Sequence, residues 1–523
     1  MGKSEIACRA AAGVLLLAVA GCTVGPDFER PASFWSPASW FGTRQPKVPK
    51  DALVSALTPG PIDANWWSVF HDPELTSLEQ RVAGGNFDVR TAVVRLAESR
   101  SSLGVTSAGL FPTFNANSSY TREKQSKNGV VALFGGGGSG GSSPGTASNG
   151  LGGTSGGLPN SSGGKANAPF DLYQVGFDAS WEVDFWGRVK REVESARATL
   201  QASAEAQRDT LLTSLAELAR DYIQLRGVQE NIRITNNNLN TARQSERLTR
   251  ERAQGGLGTD LDVANAAAQV ANTESQLPDL QAQEITLTNA IALLLGEPPD
   301  ALTAELRQPK PIPMAPPRVP IGLPGELARR RPDIRQAEAQ LHAAIANIGV
   351  AIGDFYPKVT LSGSVALQAL SFNRAFNTGS NTYSLGPSVT LPIFQGGSLS
   401  RTLELRQGAQ QESALSYQRT VLGALHDVNN AMTNYMSEQN KRRALQAAVK
   451  QNQIALTLSR DRYSQGIDTF LNVLDSERSL LAAQQQLTNS NTALGTDLVQ
   501  LYKALGGGWE QQYPDRPEPS LVH

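Results

Sequence analysis

Apolar and polar residues alternate with period two in four separate stretches of this chain. Tyr173, Val175, Phe177, Ala179, Trp181, Val183 and Phe185 alternate with Gln174, Gly176, Asp178, Ser180, Glu182 and Asp184. Tyr383, Leu385, Pro387, Val389, Leu391 and Ile393 repeat the pattern further on. Phe114-Ala116-Ser118-Tyr120 and Val359-Leu361-Gly363-Val365-Leu367 supply shorter partners. Period two with one apolar face predicts a sheet with two unlike faces. The run lengths suit strands of about 9–11 residues, those of a tilted membrane strand. Aromatic residues near the ends (Phe111, Tyr120, Phe170, Tyr173, Trp186, Phe372) suit two membrane–water interfaces. A soluble sandwich is the competing reading of these strands.

Helical patterns fill most of the remaining chain. Arg188 to Gln254 contains no proline and predicts one helix of 67 residues, about 100 Å at 1.5 Å per residue. Ser398 to Ser464 predicts a second of equal length. Each is expected to return as a shorter helix after a tight turn, with Gly256 or Gly466 closing the first helix and Thr259 or Thr469 capping the next. Val473, Leu480, Leu487, Leu494 and Leu501 stand seven apart, and Val263, Val270, Leu277 and Ile291 keep the same phase. Leu280, Leu287 and Leu294 form a second seam. Sevenfold spacing predicts coiled-coil packing, and two seams suit a ring in which each helix has neighbours on both sides. An ordinary antiparallel bundle would leave the attached strands unexplained.

The two halves of the chain resemble each other. Phe87-Asp88-Val89-Arg90 returns as Pro332-Asp333-Ile334-Arg335, and Phe111-Pro112 as Tyr356-Pro357, at an offset of about 245. Arg252-x-x-x-Gly256-x-x-Thr259-x-Leu261-x-Val263 returns as Arg462-x-x-x-Gly466-x-x-Thr469-x-Leu471-x-Val473 at about 210. The drop places an insertion between Phe111 and Tyr173, where the Gly/Ser-rich tract 135–164 lies. That composition reads as an enlarged loop. Gly163-Gly164-Lys165-Ala166 lacks the spacing and the hydroxyl residue of a phosphate-binding loop.

The amino terminus sets the compartment. Lys3 and Arg9 precede an apolar run, Ala10 to Ala20, too short to span a bilayer, and the run ends in Val19-Ala20-Gly21-Cys22. This is the lipoprotein form of a signal peptide, with Cys22 acylated after cleavage. Thr23 in place of Asp favours the outer membrane, by resemblance to bacterial lipoproteins. Cys8 leaves with the signal, so no disulfide is expected. The net charge of −1 excludes the basic excess of a nucleic-acid binder, and four histidines with two cysteines leave little for a metal or cofactor site. Later helical patterns carry charges every few residues, so a membrane crossing must be a closed β-barrel. Four strands cannot close one, so subunits must share it. Two chains would give eight strands packed solid, and three would give twelve around a lumen.

These residues resemble a known family, the TolC-like outer-membrane factor lipoproteins of resistance-nodulation-division efflux systems. The resemblance rests on Cys22-Thr23-Val24-Gly25-Pro26-Asp27-Phe28, on Trp66-Trp67-x-x-Phe70-x-Asp72-Pro73-x-Leu75, and on Arg330-Arg331-Pro332-Asp333-Ile334-Arg335. Ile348-Gly349-Val350, Phe355-Tyr356-Pro357 and Arg462-Tyr463-x-x-Gly466-x-x-Thr469-x-Leu471-x-Val473-Leu474-Asp475 complete it. It implies an α+β membrane protein: a homotrimer with a twelve-stranded β-barrel, four strands per chain, continuous with a long α-helical coiled-coil barrel. It also implies docking to a periplasmic adaptor (membrane fusion) protein, fed by an inner-membrane resistance-nodulation-division pump, with no enzyme chemistry and no cofactor. The expected organisation is a signal peptide over 1–21 and a lipidated extension over 22–62. A first repeat covers 63–310, with its Gly-rich loop at 129–168. A Pro-rich linker (311–331), a second repeat (332–508) and a C-terminal tail (509–523) follow.

By the same resemblance, acidic rings would narrow the periplasmic end, and Asp262, Asn265, Asn472 and Asp475 hold the matching positions. Three converging copies of a carboxylate would favour cations. The same acids could instead simply complement helix N-termini. The turns with Gly256, Thr259, Gly466 and Thr469 are the expected adaptor contacts, and Arg252, Arg462 and Tyr463 would hold neighbouring helices together or face the adaptor. The rival functions are a lipid-anchored coiled-coil envelope protein without a pore and a hydrolase. The hydrolase lacks any nucleophile or metal-ligand motif, and His426-Asp427 reads as a surface pair in mid-helix.

Overall fold

The computed structural model describes residues 23–30, 56–58, 60, 63–124, 169–320 and 330–514. Cys22, the signal segment and the Gly-rich loop lie outside the described residues. The chain divides into two compact units. A sheet unit takes Met1–Val24, Ser107–Lys190 and Val350–Leu399, and a helical unit takes Gly25–Thr106, Arg191–Gly349 and Ser400–His523.

The described strands are β1 (Ala56–Thr58), β2 (Thr113–Glu123), β3 (Phe170–Val183), β4 (Arg318–Pro320), β5 (Lys358–Ala369) and β6 (Asn381–Thr390). The described α-helices are α1 (Pro73–Gly85), α2 (Phe87–Ala108), α3 (Arg188–Gln254), α4 (Asp260–Glu274), α5 (Gln276–Leu294), α6 (Thr303–Leu306), α7 (Pro332–Gly353), α8 (Ser398–Ser464) and α9 (Phe470–Leu505). Helices α3 and α8 are uninterrupted over 67 residues each, as the absence of proline predicts. No helix among the described residues is long and apolar enough to cross a membrane.

The sheet unit holds a four-stranded antiparallel sheet in the order β2-β3-β5-β6. Its register sorts the side chains into two faces. Phe114, Phe177, Val365 and Tyr383 share the apolar face, and Asn115, Asp178, Ser364 and Ser384 share the other. The apolar side is bare of protein: Phe114, Phe177, Tyr383 and Leu385 are all more than two-thirds exposed. The polar side satisfies itself laterally. Asn115 and Asn117 both donate to Asp178, and Ser364 bonds Ser384. Aromatic rings gather at both ends of the strands. Tyr120 packs on Tyr173 at 4.9 Å and Tyr173 on Phe372 at 5.7 Å, while Trp186 stacks on Tyr356 at 4.9 Å. Within this sheet β2 and β6 each have one neighbour, so both edges carry backbone groups without a partner strand among the described residues.

The helical unit is held by a core around Trp66, which is fully buried, stacks on Tyr502 at 5.5 Å and meets Trp67 edge-on. Beside it lies a buried ionic knot. Arg226 of α3, completely enclosed, donates to Glu74 at 2.7 Å, to Gln229 at 2.6 Å and to the carbonyls of Leu306 and Gln308. Such a charge is tolerable in the interior because both terminal nitrogens of the fork find acceptors, while Nε is buried without one among the described residues. The Glu79 carboxyl is different: it is buried without a hydrogen-bond partner among the described residues, and burial holds its pKa well above the usual range.

Two features depart from the sequence reading. The returning helix of the first half is broken at Ser275 into α4 and α5, while α9 runs unbroken. Pro278 explains the break, since it offers no N–H to the carbonyl of Glu274 and its ring crowds that turn. In addition, β1 pairs with β4 in parallel, joining the N-terminal extension to the Pro-rich linker. His426 and Asp427 are both exposed in mid-helix, as read, and Asp427 accepts from Arg331 at 3.2 Å.

Candidate functional site at the helical tips

Both long helices end in the same way. Gly256 and Gly466 adopt φ of +75° and +77°, which a side chain would strain. Leu257 N donates to Arg252 O and Gly256 N to Ala253 O; Ile467 N donates to Arg462 O and Gly466 N to Tyr463 O. This pair of bonds is the Schellman closure, and it turns each chain sharply into its returning helix. The aliphatic residues that follow are left outside, with Leu257, Leu261, Ile467 and Leu471 all more than half exposed.

The helix starts then diverge. Thr259 and Asp262 form a reciprocal capping box, in which Thr259 Oγ1 accepts from Asp262 N at 3.2 Å and Asp262 Oδ2 accepts from Thr259 N at 3.4 Å. At the second tip Thr469 occupies the cap position, but its side chain makes no capping bond. Asp468 accepts from Thr469 N at 2.8 Å and from Asn472 Nδ2 at 2.5 Å instead. The Thr469 amide, then Asn472, and also Arg462 at 3.2 Å hold the Asp468 carboxyl below its ordinary pKa. The first tip has Gly258 where the second has Asp468, so the carboxylate serving the cap lies before one helix and inside the other.

Two of the four residues expected at a constriction, Asp262 and Asn472, are therefore engaged in caps. Asp475 is exposed and Asn265 half-buried, and neither side chain makes a hydrogen bond among the described residues. Arg252 spans between helices: its Nη1 donates to the carbonyls of Tyr463 and Ser464 at 2.6 and 3.1 Å, and its guanidinium lies 4.7 Å from the Tyr463 ring. It thus caps the C-terminal end of α8 from α3 and complements that end's partial negative charge. Tyr463 is buried against Phe470 in a small core with Leu456, Val473 and Leu480.

A second link leaves little trace in the sequence. Arg460 Nη2 donates to Thr241 O, Ser245 Oγ and Glu477 Oε1 at 3.0, 2.9 and 3.1 Å, and Ser245 donates to Glu477 at 2.5 Å. Glu477 is buried on the same stripe of α9 as Val473 and Leu480. An acid on an apolar seam was the signal available. With Arg252, this cluster joins α3, α8 and α9 just behind the tips.

The chain is similar to known proteins over most of its length. A family profile described as outer membrane efflux protein matches residues 78–297 and 323–507. The pyoverdine export outer membrane protein OpmQ of Pseudomonas aeruginosa is 34% identical over 446 residues, which cover 85% of this chain and 87% of that protein. The probable outer membrane lipoprotein SilC of Salmonella typhimurium is 28% identical, covering 94% and 96%. Among solved structures, the outer-membrane channel OprN superposes with a TM-score of 0.80 at 31% identity, covering 94% of this chain and all of that one.

Proposed function

Because the chain belongs to the outer membrane efflux protein family, we propose that it is the exit duct of a tripartite efflux pump. It is an outer-membrane lipoprotein with a helical extension into the periplasm. Three copies pool their sheets into one twelve-stranded barrel, which small molecules cross passively after delivery by an inner-membrane resistance-nodulation-division pump and a periplasmic adaptor. The observation that carries this reading is the sheet with two unlike faces and two open edges. An apolar face bare of protein suits lipid, and a hydroxyl- and amide-rich face suits a water-filled lumen. Lipid forbids an unpaired edge, so neighbours must cover β2 and β6. Detergent-extracted protein should sediment as a trimer and conduct in planar bilayers. Monomeric, electrically silent material would refute the proposal.

In this reading the tips both narrow the duct and meet the adaptor. Gly256, Thr259, Gly466 and Thr469 shape the docking turns, while Arg252, Arg462 and Tyr463 keep the helix ends together. With Asp262 engaged in its cap, Asp475 carries the free charge of the constriction, and three copies on one axis would favour cations. Asp475→Ala combined with Asn472→Ala should raise single-channel conductance and weaken cation preference. An unchanged conductance and reversal potential would remove both residues from the gate.

A further inference from the structure

Two motifs far apart in the sequence meet in the helical unit: Gly25-Pro26-Asp27-Phe28, just after the lipidation signal, and Ile348-Gly349-Val350 at the end of α7. Gly25 has φ of +100°, and a Cβ there would lie 2.5 Å from the Cα of Gly349. A side chain at 349 would in turn strike the Arg191 stem at 2.9 Å. Two glycines thus let the terminal segment lie backbone to backbone on the helix. Arg191 of α3, its side chain only 4% exposed, then reaches out to Asp27 at 2.6 Å and to Gly25 O at 3.4 Å. The Phe28 ring stacks on His342 of α7 at 4.4 Å, nearly parallel, and His342 Nε2 lies 2.9 Å from Glu194. Arg30 pairs with Glu338 at 2.5 Å.

A lipid leash needs none of this, since a flexible polar linker would tether the chain equally well. We infer that Gly25–Arg30 is a docking strap. Its seat, built from Arg191, Glu194, Glu338, His342 and Gly349, fixes the lipid-bearing terminus against α3 and α7. Cys22 lies three residues upstream of the strap, so the acyl chains enter the bilayer within about 10 Å of the seat. The lipid therefore holds this helix pair at one level beneath the membrane surface. The seat does not depend on the chain forming a pore.

A spin label at Glu29→Cys tests this directly in the full-length protein, because Glu29 is exposed and acylation leaves the mature chain no other free thiol. In lipid vesicles the label should give an immobilised spectrum. Adding Asp27→Ala and Phe28→Ala, which leave both helices intact, should replace it with a mobile one, and Gly349→Val should do the same. An acyl-free form, made with Cys22→Ser behind an ordinary secretory signal, should keep the immobilised spectrum in detergent. A mobile label in the parent protein would overturn the inference. So would immobilisation that survives the strap substitutions, or that vanishes with the lipid alone.

Discussion

Asp262 and Asp468 show what a residue's neighbours decide and its type does not. Both sit at the tips, and each spends its charge on a helix start, one from inside the helix and one from before it. Expected positions around the turns were legible because Gly and Thr there have strong backbone reasons. The partner each acid would choose was not legible, since Gly258 and Asp468 differ between otherwise matching turns. Burial was equally hard to read. Asp497 lies on α9, where burial first and then the charge of Glu438, against the opposing Lys441, push its pKa up to about 6. A carboxyl raised in this way holds its proton more tightly in the folded chain. Its contribution to stability is thus full below the ordinary Asp value, about 3.9, and is lost as pH rises through about 6. Asp497→Asn should melt with the parent near pH 4 and above it at pH 7.5. Thermal melts with the same pH slope for both proteins would refute this.

At the scale of elements, helix and strand type were written plainly in the pattern. The two long helices follow from proline-free sequence, and the strands from strict alternation. Two things escaped. The three-residue pairing of β1 with β4 is too short to leave a periodic signal. The break at Ser275 needed the single Pro278 to be weighed against a continuing heptad. The unequal helix starts give a paired prediction. Thr259→Ala removes a capping box and should cost about 1 kcal/mol, whereas Thr469→Ala removes no side-chain cap and should be close to neutral. Hydrogen exchange in the first turns of α4 and α9 would measure both. Equal protection losses at the two tips would contradict the difference in capping.

At the scale of the whole molecule, the sequence declared that one chain cannot close its sheet, because four alternating runs leave two edges. It could not declare which distant segments touch, and the meeting of Gly25 with Gly349 is visible only once the chain is folded. The two faces of the sheet predict opposite tolerances. Phe177→Arg, at mid-strand on the apolar face, should cost about 2–4 kcal/mol per copy in lipid, seen as loss of assembled protein from outer-membrane fractions. Asp178→Ser, its neighbour on the polar face, should assemble normally. Equal yields would mean that neither face meets lipid. The interruption at Ser275 has a mechanical consequence for such an assembly. One arm of each chain contains a joint where a backbone rung is missing, and the other is a stiff lever from Phe470 to Leu505. A load applied at the tips of one chain should therefore fall unequally, bending the α4–α5 arm near Pro278 and swinging the α9 arm as a rigid body.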